Sequence, residues 1–242
     1  MNFNYLMVYD FESGSRDSSK TQLTQISSIM INPRKLTIIE NSLFDSEVRP
    51  ILDDEAAIAA GYDPIQQDAL DITHKTRENL AKAAEPKQVW NAWIEHTKKY
   101  YIKRGGAWGA PIRCGFNIVN FDNKIVDRYA KLYGQWDNKW SCQDAFHPLV
   151  SFDLLQEFWK ITENQKINSN HSISLDSIRE WLGMSKDGAH DAKNDILDCA
   201  ELVIRMLKLS RKLSTGFECI KCQHPFKIQF EQSLANWKRP IL

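Results

Sequence analysis

Asp10 and Glu12 stand two residues apart at the end of the apolar run Tyr5 to Phe11, YLMVYDF. On a strand, that spacing puts both side chains on one face, about 6 to 7 Å apart along the backbone. Two carboxylates aimed at one point repel unless a cation lies between them, and a hard divalent ion with oxygen ligands is the natural neutraliser. Taken alone, the pair is equally well read as the solvated end of a strand. It has company, however: Asp122 follows a second strand candidate at the start of a helix, and Asp195 falls in the opening turns of a long helix after His190. His190 and Asp195 are five positions apart, about 140° around a helix, so they share no helical face. This places His190 in the Gly188-Ala189 loop, with Asp191 as the cap and Asp195 looking inward. The bland alternative is that Asp191 and Asp195 only favour the helix N-terminus through its dipole.

The elements that must position these groups follow from periodicity. Tyr5 to Phe11 suits a central strand covered on both faces. After the polar stretch Ser13 to Thr24, Gln25 to Ile31 and Leu36 to Phe44 read as two more strands joined by the Asn32-Pro33 turn, an antiparallel meander. Asp45 to Arg77 is irregular with short helices. Pro86 opens a helix in which Val89, Trp90, Trp93, Ile94 and Thr97 recur at spacings of three and four. Pro111 to Phe116 is a short strand, and helices are expected from about Asn123 to Tyr133, Asp153 to Ile161, Leu175 to Leu182 and Ala192 to Leu213. Asp153 reads as a helix cap rather than a ligand. The tryptophans, at helix-like spacings among apolar residues, read as core filler and not as base-stacking platforms.

Three segments carry a resemblance: D-F-E at Asp10 to Glu12, G-F-N-I-V-N-F-D at Gly115 to Asp122, and A-H-D-A-K-N-D at Ala189 to Asp195. In order and separation they are similar to the three motifs of the DEDDh 3′-to-5′ exonucleases. Together with F-D-L-L at Phe152 to Leu155, they resemble in particular the nuclease domain of the bacterial exonuclease I group, over roughly Tyr5 to Leu213. The resemblance implies an RNase H-like α/β fold, a five-stranded mixed sheet flanked by helices. It implies that Asp10, Glu12, Asp122 and Asp195 hold two Mg²⁺ or Mn²⁺ ions and that His190 is the general base. A histidine, with a reference pKa of about 6.5, takes a proton from water near neutral pH better than a carboxylate does. On the substrate side stand Ser13, whose hydroxyl and backbone N–H suit a terminal nucleotide, Asn117, which binds substrate or ties its loop, and Phe121 beside the site. Family members usually carry Thr where Ser13 stands and often His where Phe116 stands. The implied activity is hydrolysis of single-stranded DNA from a free 3′ end to nucleoside 5′-monophosphates. The alternatives are an RNA-directed exonuclease of the oligoribonuclease or RNase T kind and a non-catalytic nucleic-acid-binding or polymerase-accessory module.

The whole chain bounds these readings. Its 242 residues suit one large domain with an appendage, and 43% apolar with 26% charged residues excludes collagen-like, low-complexity and wholly disordered classes. Thirty-one Lys and Arg balance thirty-one Asp and Glu, so a nucleic-acid partner must be held by a local patch or by metal ions. Five scattered cysteines, with no signal segment and no long apolar run, point to a reducing, cytoplasmic setting without a membrane partner. The exonuclease domain is expected over residues 1–215 and an appendage with a basic tail over 216–242. Cys219-x-x-Cys222 is half of a zinc site, and no second such pair follows, so zinc is not expected there.

Overall fold

The computed structural model describes residues 4–102, 106–163, 173–185 and 191–213. Its first half is β1 (Leu6–Ser13), β2 (Leu23–Asn32), β3 (Thr37–Ile38) and β4 (Phe44–Glu47), then α1 (Asp54–Ala59), α2 (Gln67–Thr73), α3 (Arg77–Lys82) and α4 (Pro86–Lys98). There follow β5 (Ile112–Gly115), α5 (Asp122–Tyr133), the small hairpin β6 (Trp136–Asp137) and β7 (Cys142–Gln143), β8 (Ser151–Asp153), α6 (Leu154–Thr162), α7 (Leu175–Trp181) and α8 (Ala192–Leu213).

The main sheet is mixed and five positions wide. β2 pairs antiparallel with β1, β5 and β8 continue parallel on the other side of β1, and β3 and β4 pair with successive stretches of the free edge of β2. The fold class expected from the sequence is the one found. The third expected strand differs, because Leu36 to Phe44 is broken. Leu36 and Asn41 have φ values of 55° and 57°, a left-handed backbone that ends a ladder. Ser42 fills the gap, its Oγ accepting the Met30 N–H at 3.0 Å. β8 is a strand that periodicity did not show, since three residues are too few for a pattern.

β1 alternates between two cores. Met7, Tyr9 and Phe11 face α4 and α5, packing with Trp90, Trp93, Ile125 and Phe146. Leu6 and Val8 face α8, packing with Ile178, Ile196, Cys199 and Val203. The buried indoles keep their polar ends satisfied: Trp93 donates to Ser28 Oγ at 2.9 Å and Trp90 to Gln135 Oε1 at 2.7 Å. Trp108, Trp140 and Trp159 depart from the core reading, being 41%, 57% and 57% exposed. No helix among the described residues is long and apolar enough to cross a membrane.

Candidate active site

The strand period that places Leu6 and Val8 under α8 carries Asp10 and Glu12 to the same side. There they meet α8. Asp191 caps that helix, its Oδ1 accepting the Lys193 N–H at 3.0 Å, and Asp195 enters one turn on and is buried. Carboxylate oxygens of Asp10, Glu12 and Asp195 all lie within 4.8 Å of one another. The fourth acid is close by but differently held. β5 stops beside Val8, so β1 runs past its parallel neighbour, and Asp122 accepts the Phe11 N–H at 3.1 Å.

Packing at the end of β5 is what lets the acids approach. A Cβ on Gly115 would stand 2.7 Å from the Tyr9 carbonyl oxygen and 2.4 Å from Ile118 Cγ2, so only glycine fits where β5 ends beside β1. Beyond it, Asn117 has φ 56° and its side chain accepts from Asn120 Nδ2 at 2.9 Å. Asp153 caps α6 as expected, and it also receives the Asn117 and Val119 amides at 2.9 and 3.0 Å, pinning the loop that delivers Phe121 and Asp122. Asn117 therefore ties its own loop in this conformation.

Crowding three carboxylates under a helix makes charging them unfavourable. Burial, then the charge of Asp195, lifts Asp10 to about 7. Burial, then Asp10 and Asp195, lifts Glu12 to about 9. Asp122 is likewise raised, by burial first and Asp10 second. Such a set holds protons near neutral pH unless a cation replaces them. An all-oxygen donor set of this geometry fits Mg²⁺ or Mn²⁺.

Beside Glu12 opens a cleft of about 320 Å³ lined by Ser13, Phe121, Arg16, Gln66, Asp68 and Ile72 among others. Its far wall is α2. Two sequence-expected substrate-side residues, Ser13 and Phe121, thus share a wall with Glu12, whereas Asn117 is not among the lining residues. Ser13 Oγ donates to the Ser15 carbonyl at 3.1 Å, and Arg128 donates to the Ser19 and Thr21 carbonyls, clamping the polar Ser13 to Thr24 loop onto α5.

Two cations at the site escaped sequence reasoning. Arg179 of α7, 1% exposed, bonds Asp195, Asp198 and Asp176. Lys75, whose side chain is 6% exposed, donates to Gln25 Oε1 at 2.7 Å and pairs with Glu47 at 3.6 Å. Gln25 is the cross-strand partner of Glu12, so Lys75 stands on the Glu12 side as Arg179 stands on the Asp195 side. The detectable signal was the i, i+3 spacing of Asp176 with Arg179 and of Asp195 with Asp198. His190, Cys219, Cys222 and the 216–242 segment lie outside the described residues.

No known family model matches the chain, and no curated protein sequence matches it. Solved structures do. Cell-death related nuclease 4 (CRN-4) superposes with a TM-score of 0.63 at 16% identity, over 86% of this chain and 64% of that one. E. coli exonuclease I in complex with a dT13 oligonucleotide gives 0.61 at 16% identity, over 84% of this chain and 41% of that one. The zinc-ion-bound form of the E. coli exonuclease I complex with single-stranded DNA gives 0.61 at 19% identity, over 86% of this chain and 41% of that one. The chain thus spans less than two thirds of either protein. The shared property is the fold, and it agrees with the resemblance carried by the three motifs.

Proposed function

We propose that the protein is a metal-dependent 3′-to-5′ exonuclease acting on single-stranded DNA. The observation that carries this reading is the convergence of Asp10 and Glu12 from the central strand with Asp195 from α8, beside an open cleft lined by Ser13 and Phe121. The fold it shares with two nucleases, one of them solved with single-stranded oligonucleotides, supports it. Bound divalent ions in such a site supply a nucleophilic hydroxide near neutral pH and stabilise the leaving 3′-oxygen. Asp10, Glu12, Asp122 and Asp195 hold them. His190, one residue before the α8 cap, takes the proton of the attacking water, a role that contributes about 10² to 10⁴ in rate. Ser13 and Phe121 seat the terminal nucleotide, whose base is unpaired on entry. An end already unpaired avoids the cost of fraying a duplex.

The test is the length ladder produced from 5′-labelled single-stranded DNA with Mg²⁺, run beside the matching RNA, a 3′-recessed duplex and closed single-stranded circles. Stepwise shortening of linear DNA, slower on the recessed duplex and absent on circles, is the expected result. Faster shortening of the RNA would reassign the substrate to the oligoribonuclease or RNase T kind. Circles cut as fast as linear strands would make it an endonuclease, and no cleavage at all would favour a binding module.

A further inference from the structure

Arg179 is a buried charged residue, and each of its three guanidinium nitrogens is committed to a different carboxylate. Nη2 donates to Asp195 Oδ1 at 2.6 Å, Nε to Asp198 Oδ2 at 2.8 Å and Nη1 to Asp176 Oδ1 at 2.9 Å. Asp176 comes from α7 itself, while Asp195 and Asp198 lie one turn apart on α8. With three carboxylates around it and 1% exposure, the planar fork is held in one orientation. Of its three partners, only Asp195 belongs to the cluster with Asp10 and Glu12.

We infer that Arg179 is a positioning residue for Asp195. By holding Oδ1 at 2.6 Å, it fixes the direction from which the Asp195 carboxylate approaches Asp10 and Glu12. This rests on the reading of the acidic trio as a metal site and adds a residue to it that no motif contains. Two effects of opposite sign decide what removing the arginine does. A buried positive charge near a divalent ion repels it, so its loss by itself would tighten binding. But Asp176 and Asp198 already outweigh that charge on the outer side, so the ion meets the hub as a net anion. Without the fork nothing holds Asp195 in that direction, and its carboxylate turns away from Asp10 and Glu12, which removes it as a ligand. Loss of orientation therefore wins. Partners that orient metal-binding carboxylates typically account for about 10- to 100-fold in metal affinity.

The experiment titrates Mn²⁺ calorimetrically into the full chain and into Arg179→Met and Arg179→Lys, with the thermal unfolding midpoint followed in parallel. Arg179→Met should weaken Mn²⁺ binding about 10- to 100-fold. Arg179→Lys keeps the charge without the fork, so its dissociation constant should fall between the wild-type and Met values. A purely structural arginine would lower the unfolding midpoint and leave the Mn²⁺ dissociation constant where it was. That outcome, in either folded variant, overturns the proposal while leaving the metal reading intact. If Arg179→Met does not fold, Arg179→Lys alone decides in the same way. Failure of the wild-type chain to bind Mn²⁺ at all would sink the metal reading and this inference together.

Discussion

The two faces of β1 are built from the same backbone and do opposite things. On the α4 and α5 side, Met7, Tyr9 and Phe11 continue one aromatic core to the end of the strand, where Phe11, Tyr9, Trp93 and Phe146 pack with ring centroids 5.3 to 5.7 Å apart. On the α8 side, Leu6 and Val8 begin as core and then give way to Asp10 and Glu12. The first face spends its whole length on cohesion. The second stores unfavourable charge at its tip, held in place by the first. A site with raised carboxylates tolerates its strain because the opposite side of the strand is rigid.

This division makes the two faces separable by mutation. The largest effect should come from Asp10→Ala or Asp195→Ala, which removes a proposed ligand: hydrolysis disappears in both, the metal-free unfolding midpoint of Asp10→Ala stays level or rises because a repelling charge is gone, and that of Asp195→Ala falls because the buried Arg179 loses a partner. Measuring nuclease rate and thermal unfolding on the same samples checks both halves, and substantial activity in either variant would defeat the ligand assignment. Next in size, Trp93→Ala on the other face should cost about 3 to 5 kcal/mol of stability by denaturant unfolding, with the rate per folded molecule little changed. A folded Trp93→Ala protein without activity would show that the two faces are not independent. The smallest effect is in pH. Asp10 and Glu12 have folded values of about 7 and about 9, above the ordinary 3.8 and 4.5, so the metal-free native state binds more protons than the unfolded chain. The stabilising contribution is fully present below pH 4 and is lost as pH rises through 7 and then 9. Unfolding midpoints without metal should fall by a few degrees across that range, and saturating Mg²⁺ should flatten the decline. A midpoint that rises with pH in the absence of metal would contradict the raised values.

What the sequence disclosed was what depends on local period. Asp10 and Glu12 share a face because strands alternate, Asp195 looks inward because α8 is amphipathic, and the α5 and α8 boundaries fall within a residue of those expected. What it did not disclose depends on where elements stop or meet. Asp122 reaches the Phe11 amide only because β5 ends early. Leu36 to Phe44 looked like one strand because it is rich in apolar residues, yet a left-handed Leu36 opens it and a left-handed Asn41 separates β3 from β4. Arg179 and Lys75 gave no motif because a counter-cation is chosen by which helices pack against the acids, and the i, i+3 spacing of Asp176 with Arg179 records only the part of that network within α7.

Asp10 and Asp195 approach from opposite ends of the described chain, and α8 is the last of the described elements in the sequence. Contacts between residues so distant in sequence close late, after the entropy of the intervening loop has been overcome. A chain emerging from the ribosome therefore carries Asp10, Glu12 and Asp122 before the helix that completes their cluster has been made. Docking of α8 is then the event that completes the acidic cluster, and the proposed activity would be withheld until it happens.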